Sequence, residues 1–290
     1  MSNPRQYRLP GGLIALRTQP AIGAVVSGID LAQKIEARQS EGLRQALFAH
    51  GVIFLRGQDH IGYPEHRALA EVFGEPHADG HEPERPEIMA IRSKAHNPEG
   101  IASVWHFDDP YMIAPPAVSV LRAIEPSTFG GDTCFSSAAA AYAGLPSELK
   151  EQIAGLRYST SLEALITEGP GGFGADDTWR ELIARNPPLT QPLVIVHPVT
   201  GVPALYTDVL WPRGIVGMDD AEWPPLIERL AREFTRPEYQ TRWNWSKGDI
   251  AIWDNRLVQH CGVPDHQTDR YMERITVRGQ PLQSIVEWQA

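Results

Sequence analysis

His106-Phe107-Asp108 is the stretch from which the interpretation of this 290-residue chain begins. On an extended strand, residues i and i+2 point to the same face, so His106 and Asp108 can hold one metal ion together while Phe107 faces away. A third ligand from elsewhere in the chain would complete the set, and His260 is the candidate. Two imidazoles and one carboxylate on one face of an octahedron leave the other positions open, which is typical of non-haem Fe(II) oxygenases.

A second His-x-Asp pattern competes with this one, because His77-Ala78-Asp79 has the same spacing and His81 follows it. His106 follows Ser103-Val104-Trp105 and precedes a predicted strand, whereas His77 lies in a loop rich in proline and glycine. Strands hold ligand geometry better than loops do, which favours His106 and Asp108. The alternative for either histidine is a solvated or capping side chain.

The predicted secondary structure is that of an α+β chain with most of its strands after residue 100. Short apolar runs bounded by glycine and proline predict strands over Ile22 to Ile29, Val52 to Leu55, Ala117 to Ala123, Leu193 to His197, Ile250 to Trp253 and Tyr271 to Val277. Apolar residues at helical spacing predict helices over Ser40 to His50, Pro64 to Phe73, Ser136 to Ala143, Ser147 to Ala154 and Asp219 to Phe234.

Two further stretches are predicted to be loops near the site. Glu75 to Arg85 is rich in proline, glycine, acid and histidine, and Gly169 to Asn186 contains a glycine-rich run before a short helical pattern at Trp179 to Ala184. Long loops in compact domains are usually functional lids or disordered segments.

Composition limits the classes of partner and the compartment. The chain is 42% hydrophobic, and its length suits one domain over residues 1–290. A formal net charge of -10 without a lysine or arginine run argues against nucleic-acid binding. Without a long apolar run or a secretory signal, no membrane association and a cytoplasmic location are expected. Cys134 and Cys261 are too few for a disulfide framework and more often indicate buried thiols than a bridge.

Two arginines strengthen the case for His260, which on spacing alone would be an ordinary polar residue. Arg270 and Arg274 fall on one face of the last predicted strand, roughly 13 Å apart at about 3.3 Å per residue. Their commoner fate is a surface ion pair. However, a dicarboxylate cosubstrate that chelates iron at one end needs a bidentate cation at its other end, which arginine supplies.

Several stretches occur in order between about residue 20 and residue 280: Ile22-Gly23-Ala24, Ser27 to Leu31, Val52 to Arg56, Trp105 to Asp108, Gly130 to Thr133, Arg242 to Trp245, Ile252 to Arg256, His260, and Arg270 to Arg274. Together they resemble the taurine dioxygenase family of Fe(II)/2-oxoglutarate-dependent oxygenases, which also contains alkylsulfatases and aryloxyalkanoate dioxygenases. The resemblance implies a double-stranded β-helix, or jelly-roll, core with flanking helices and a lid loop.

The resemblance also implies the cofactors Fe(II), 2-oxoglutarate and O2, with the catalytic iron held by His106, Asp108 and His260. Further implied roles concern the cosubstrate and the substrate. They are Thr133 as a hydrogen-bond partner of 2-oxoglutarate, Arg270 as its salt-bridge partner, Trp253 in the cofactor site or in plain core packing, and Arg274 on the anionic group of the prime substrate.

Four positions depart from the family pattern around the substrate. Asp79 and Glu82 stand where taurine dioxygenases usually place a histidine and a tyrosine, Ala102 replaces an asparagine, and Phe107 replaces a threonine. Because a buried polar group without its partner costs roughly 1 to 3 kcal/mol, a pocket with fewer polar anchors favours a more apolar ligand. The substrate contacts predicted here are Asp79, Ala102, Phe107 and Arg274, and a larger carboxylic or sulfated substrate is favoured over taurine.

The expected activity is hydroxylation of an unactivated C–H bond in a small anionic carboxylate, sulfate or sulfonate, with succinate and CO2 as coproducts. One alternative is a natural-product tailoring enzyme that desaturates or epoxidises at the same site. The other is a non-catalytic jelly-roll protein that binds a metal or a ligand. Asp108 disfavours a halogenase, and because family members often pair, a homo-oligomer stays open.

Overall fold

The computed structural model describes residues 5–78, 80, 82–95, 101–163 and 177–289. Within these ranges the strands are β1 Gln6–Arg8, β2 Ile14–Arg17, β3 Ala24–Ser27, β4 Val52–Leu55, β5 Met89–Ser93, β6 Val118–Glu125, β7 Thr133–Ser137, β8 Arg157–Thr160, β9 Leu189–Pro192, β10 Val194–Val196, β11 Pro203–Leu205, β12 Pro212–Ile215, β13 Gln240–Trp243, β14 Ile250–Asp254, β15 Val258–Gly262 and β16 Arg270–Val277.

The helices in the same ranges are α1 Ala37–His50, α2 Tyr63–Glu71, α3 Ala138–Ala143, α4 Ser147–Ile153, α5 Asp177–Arg185, α6 Trp223–Phe234 and α7 Ile285–Gln289. Short 3-10 turns occupy Pro10–Gly12, Ile101–Ser103 and Pro237–Tyr239. None of these helices is both long enough and apolar enough to cross a membrane.

The largest sheet has eight strands in the order β1-β2-β3-β4-β14-β6-β16-β5. All neighbours are antiparallel except β3 and β4. Its central strands β4 and β14 are buried at every position. A strand covered on both faces has no polar face, which is why these two segments are continuous apolar runs in the sequence.

Different apolar clusters cover the two faces of this sheet. On one face, Ile250 and Ile252 of β14 pack with Leu43 and Leu47 of α1 and with Leu69 of α2. Ala251 and Trp253 belong to the cluster on the opposite face. The period-two alternation of β14 therefore directs Trp253 away from the helices and towards a second sheet.

That second sheet has three strands in the order β13-β7-β15 and packs against the inner face of the large sheet. The ring of Phe135 on β7 lies 5.6 Å from Phe54 on β4 and 5.6 Å from Trp253 on β14. Trp243 on β13 stacks on Phe54 with ring centroids 4.0 Å apart. Aromatic side chains therefore fill the space between the sheets, and the candidate site lies at the edge of this space.

Most predicted elements are present, with shifted ends. The strand at Val52 to Leu55 is confirmed as predicted, and the helix predicted over Ser40 to His50 begins earlier, at Ala37. The helix predicted from Ser136 was wrong at its start, because β7 continues to Ser137. The Ser137 hydroxyl then caps α3 by accepting a hydrogen bond from the backbone N–H of Ala140.

Other differences concern ends and loops. The helix predicted from Asp219 begins at Trp223, with two prolines in its first turn. The predicted strands correspond to β3, β4, β6, β10, β14 and β16, and the other strands, which include β5, β7, β13 and β15, were not predicted. The short helix expected at Trp179 to Ala184 is confirmed within α5, while residues 169–176 of the same predicted loop lie outside the described residues.

Candidate metal centre

His106, Asp108 and His260 meet where residues 101–108 run beside β15. The backbone N–H of each histidine donates to the carbonyl of the other, at 3.1 Å in both directions. Their ring centroids are 4.3 Å apart. Asp108 Oδ1 lies 4.0 Å from Nε2 of His106 and 3.7 Å from Nε2 of His260. Among the described residues, this is the one group of three or more potential ligands whose donor atoms all lie within 4.8 Å of one another.

The imidazole of His106 is oriented by its own backbone neighbourhood. Its Nδ1 lies 2.7 Å from the carbonyl oxygen of Val104. A carbonyl only accepts, so Nδ1 carries the proton and Nε2 presents its lone pair towards Asp108 and His260. This second hydrogen bond is the usual way in which a protein fixes the tautomer of a metal-binding histidine.

The imidazole of His260 is held by packing. Its ring lies 4.7 Å from Trp253 and 6.2 Å from Phe135, and its Nδ1 is buried without a hydrogen-bond partner among the described residues. Burial, with a smaller contribution from His106, lowers the pKa of His260 to about 3. The ring is therefore neutral near pH 7, which is the form that binds a metal.

A line of buried hydrogen bonds fixes the carboxylate of Asp108. The hydroxyl of Ser119 on β6 donates to Asp108 Oδ2 at 2.8 Å. Asn255 Nδ2 donates to that hydroxyl at 2.9 Å, and the indole N–H of Trp253 donates to Asn255 Oδ1 at 2.6 Å. Because Oδ2 is committed to Ser119, Oδ1 is the oxygen that faces the two imidazoles.

The ionisation of Asp108 depends on its charged neighbours. Burial by itself would raise the pKa of this carboxyl. The Arg274 guanidinium, together with the hydrogen bond from Ser119, outweighs that effect and holds the pKa of Asp108 well below its usual range. The group is thus a carboxylate with two imidazole nitrogens beside it, a donor set that suits a divalent transition metal.

Arg274 brings a cation to the edge of this cluster. It is a buried residue of β16, and its Nη1 donates to Asp108 Oδ1 at 2.5 Å. Its Nη2 lies 3.1 Å from the sulfur of Met89 on the neighbouring strand β5. Arg274, which is predicted to bind the anionic group of the substrate, therefore lies next to the predicted metal ligands.

Arg270, at the start of the same strand, has a different environment. Its Nη1 donates to the carbonyl of Gly131 at 3.2 Å, and burial lowers the pKa of the guanidinium while Asp132 offsets part of that effect. Asp132 itself is engaged by Arg242 at 2.6 Å and by Asn244 at 2.8 Å. Within the described part of the chain Arg270 forms no ion pair, and a half-buried cation of this kind is stabilised when an anion binds it.

Thr133 begins β7 and is buried. Its hydroxyl oxygen accepts a hydrogen bond from the indole N–H of Trp245 at 3.0 Å. The hydroxyl hydrogen of Thr133 stays available for another acceptor. Thr133 therefore has the donor that the predicted contact with a carboxylate requires.

Three other residues were predicted to contact the cofactor or the substrate, and each has a different environment. Trp253 packs behind His260, as described above. The ring of Phe107 is fully buried, 4.4 Å from Tyr206 and 6.0 Å from Phe234, so it points into the core and away from Asp108. Ala102 is exposed on the turn Ile101–Ser103.

The competing dyad is only partly described. His77 lies beside β16, where its backbone N–H donates to the carbonyl of Thr276 at 2.8 Å. Asp79 and His81 lie outside the described residues, so the predicted substrate contact at Asp79 stays a prediction.

Sequence reasoning missed three residues that support the site. Ser119 lies in an apolar strand and carried no signal of its own. Asn255 belongs to the stretch Ile252 to Arg256, where only Trp253 had been given a role. Asp208 receives hydrogen bonds from the backbone N–H of Phe107 at 3.2 Å and of Leu210 at 2.8 Å, and so ties residues 106–108 to a distant loop.

A profile of the family described as "Taurine catabolism dioxygenase TauD, TfdA family" matches residues 15–276, which is most of the chain. The chain belongs to this family. The family prediction made from the sequence is confirmed, and this TauD/TfdA protein is accordingly a dioxygenase.

Three known proteins illustrate the relationship. An alkylsulfatase of Acinetobacter baylyi is 33% identical to this TauD/TfdA chain over 264 residues, which cover 89% of this chain and 83% of the relative. An alpha-ketoglutarate-dependent sulfate ester dioxygenase of Pseudomonas putida is 33% identical over 266 residues, which cover 89% of this chain and 87% of the relative. AAD-2, crystallised with Mn(II) and N-oxalylglycine, has a TM-score of 0.80 at 25% identity over 93% of this chain and 99% of that protein. The mixed α/β fold is therefore of the TauD type.

Proposed function

We propose that this dioxygenase hydroxylates the carbon atom that carries the sulfate group of an alkyl sulfate ester. The observation that carries the proposal is the Arg274 guanidinium, buried within 2.5 Å of a carboxylate of the metal cluster. The two 33% identical relatives, an alkylsulfatase and a sulfate ester dioxygenase, support the same substrate class. The cofactors are Fe(II), 2-oxoglutarate and O2, because the family and its named members are α-ketoglutarate-dependent dioxygenases.

His106, Asp108 and His260 would hold the iron. The site fits this metal because it offers two imidazole nitrogens and one ionised oxygen, and no further ligand among the described residues closes it. When bound, Fe(II) with 2-oxoglutarate and O2 supplies an oxidant able to remove hydrogen from an unactivated C–H bond. The protein's own part is to hold the reactants in position and to exclude water.

Arg270 and Thr133 would hold 2-oxoglutarate. Arg270 is a half-buried residue with no ion pair in the described chain, and a distal carboxylate would provide the missing charge. The Thr133 hydroxyl, fixed by Trp245, can donate to the same ligand. Thr133 lies on β7, next to the strand β15 that carries His260, and Arg270 contacts Gly131 two residues before Thr133.

Arg274 would hold the sulfate of the substrate. Its Nη2 now contacts the sulfur of Met89, a weak acceptor that a sulfate oxygen can replace. A sulfate bound here directs the adjoining carbon towards the cluster that contains Asp108. Hydroxylation of that carbon gives a hemiacetal sulfate, in which the bond between the hydroxylated carbon and the sulfate oxygen breaks to leave an aldehyde and hydrogen sulfate. The hydroxyl proton leaves in the same step, so no further oxidant is required.

We also propose that the eight-stranded sheet and the sheet β13-β7-β15 form the walls of a jelly-roll core. Their inner faces meet through Phe54, Phe135 and Trp253, and most neighbouring strands are antiparallel. A single domain over residues 1–290 and a cytoplasmic location stay predictions.

A substrate comparison tests the proposed function. The purified protein is supplied with Fe(II), 2-oxoglutarate and air, together with an alkyl sulfate, the alkanesulfonate of equal chain length or the matching carboxylate. We expect succinate, aldehyde and sulfate to appear in equal amounts with the alkyl sulfate. Succinate release that depends on the carboxylate alone would refute the proposal, as would an alkene or epoxide product.

A further inference from the structure

The chain has two cysteines, and they face each other across two strands of the small sheet. In the antiparallel register of β7 and β15, Cys134 lies directly opposite Cys261. Both are free thiols and both are half-buried. Side chains at directly opposed positions project from the same face of a sheet, so the two sulfur atoms lie on one surface.

The hydrogen-bond pattern gives the separation of their backbones. His260 exchanges both of its backbone hydrogen bonds with His106, on the edge of β15 away from β7. The backbone hydrogen bonds of successive residues in a strand point to opposite edges, so those of Cys261 point to β7 and join it to Cys134. The hydrogen bond from the Val263 N–H to the Asp132 carbonyl, two residues further on, also points to β7, as this alternation requires. A hydrogen-bonded antiparallel pair has Cα atoms about 5.5 Å apart.

This separation lies inside the range that a disulfide spans, roughly 4.4 to 6.8 Å between Cα atoms. Directly opposed Cβ atoms lie about 4.5 to 5.5 Å apart and a disulfide needs roughly 3.5 to 4.5 Å, so the strands must approach slightly. A disulfide that forms only when the strands move closer is strained and is therefore more easily reduced.

We propose that Cys134 and Cys261 are a reversible oxidation site that forms a cross-strand disulfide and thereby weakens metal binding at the neighbouring cluster. Two S–H bonds break and one S–S bond forms. The two electrons and two protons pass to hydrogen peroxide, which becomes two molecules of water. The second half of this proposal rests on the proposed metal site, whereas the first half does not.

The structure connects the thiol of Cys261 to the cluster in two ways. Cys261 directly follows His260 on β15. Its Sγ also donates to the carbonyl of Ser103 at 3.1 Å. Ser103 precedes Val104, whose carbonyl orients the ring of His106. Oxidation removes the S–H donor and draws the sulfur towards β7, so both histidines lose part of their support.

The first experiment tests the bond itself, on metal-free protein treated with hydrogen peroxide. Burial raises the pKa of both thiols, so the incubation is long and is repeated at alkaline pH. We expect the intact mass to fall by two hydrogen atoms, a cross-linked Cys134–Cys261 peptide after digestion, and recovery of both thiols with dithiothreitol. Cys134→Ser and Cys261→Ser should lack the cross-linked peptide. Stable sulfinic acids in place of the bond, or disulfides between molecules only, would overturn the proposal.

The second experiment tests the consequence by titrating Mn(II) into reduced and oxidised protein. Loss of support around metal ligands typically weakens binding by 10- to 100-fold, so we expect about a 10-fold loss on oxidation, reversed by dithiothreitol. Cys134→Ser removes the disulfide but keeps the Cys261 thiol, and its affinity should not respond to peroxide. Equal affinity of the two redox forms of the wild-type protein would refute the link, while failure of the reduced protein to bind Mn(II) would instead refute the metal site.

Discussion

The serine that holds Asp108 is a buried residue whose single hydroxyl decides which carboxylate oxygen faces the imidazoles. Ser119 donates to Oδ2 at 2.8 Å and is itself positioned by Asn255. We predict that Ser119→Ala weakens Mn(II) or Fe(II) affinity by roughly 10-fold, because the carboxylate can then rotate away from the metal. Anaerobic calorimetric titration of the metal measures this effect.

Ser136 provides the matched control for this serine. It is equally buried, on β7, and its hydroxyl has no hydrogen-bond partner among the described residues. Ser136→Ala should leave metal affinity unchanged, since no contact is lost. Equal losses in the two variants would mean that any buried serine matters through packing and that the line of hydrogen bonds has no special role.

The two arginines of β16 should separate cosubstrate binding from substrate binding. Arg270 contacts the carbonyl of Gly131, whereas Arg274 contacts Asp108. Loss of a charged hydrogen-bonding partner costs about 1.5 to 3 kcal/mol, or roughly 10- to 100-fold in affinity. We predict that Arg270→Gln raises the KM for 2-oxoglutarate by this factor and that Arg274→Gln raises the KM for the alkyl sulfate. Steady-state kinetics with each ligand varied in turn measures both, and a mixed loss in both variants would contradict separate roles.

At the scale of the element, the sequence predicts strands that are buried on both faces better than strands that carry the site. Strand β4 is an apolar run and was predicted to the residue. Strand β15 reads Val-Gln-His-Cys-Gly and has no apolar period, although it holds His260. It forms because β7 and residue His106 supply its hydrogen-bond partners, and such partners are distant in sequence.

Arg85 attaches the loop before β5 to β16 through its side chain. Arg85 donates to Glu273 at 2.6 Å and to Glu82 at 2.8 Å, and Glu273 is otherwise a buried carboxylate that accepts from Tyr271. We predict that Arg85→Met raises the KM for the alkyl sulfate several-fold and leaves Mn(II) affinity unchanged, because Glu82 stands at a family substrate position and loses its anchor.

A second substitution distinguishes this effect from a general loss of stability. Arg85→Met leaves the Glu273 carboxylate short of a partner, which destabilises the fold. Adding Glu273→Gln removes that charge and should restore the unfolding midpoint in urea without restoring the KM. Recovery of both quantities together would show that the loop acts through stability alone.

At the scale of the whole molecule, the site could be predicted wherever a ligand type and a family motif coincide. His106, Asp108 and His260 were chosen on that basis, and the structure brings them together. The supporting groups could not be found in this way, because Ser119 is itself positioned by Asn255, and Asp208 contacts Phe107, and both pairs are far apart along the chain. Phe107 shows the same limit. It lies between two metal ligands in the sequence, but the sequence does not say whether its ring faces a substrate pocket or the apolar core.

The stability of the whole fold should fall in mild acid because of a histidine far from the metal cluster. His66 on α2 is fully buried, its ring N–H donates to the carbonyl of Val120 on β6 at 3.1 Å, and burial lowers its pKa to about 4 from an ordinary value of 6.5. Between these two pH values His66 is protonated in the unfolded chain and neutral in the folded chain. The contribution of His66 to the free energy of unfolding is therefore complete above about pH 6.5 and is lost as the pH falls towards 4. At 1.36 kcal/mol per pKa unit the loss is about 3 kcal/mol.

Urea unfolding of the metal-free protein at pH 7 and at pH 4.5 measures this contribution. The wild-type free energy of unfolding should drop between the two conditions, and His66→Gln, which keeps an N–H donor but cannot be protonated, should reduce that drop by about 2 to 3 kcal/mol. His60→Gln at an exposed position is the control and should leave most of the pH dependence in place. If His66→Gln shows the same drop as the wild-type protein, the acid sensitivity arises elsewhere, and the helix α2 is not held on the sheet by a neutral imidazole.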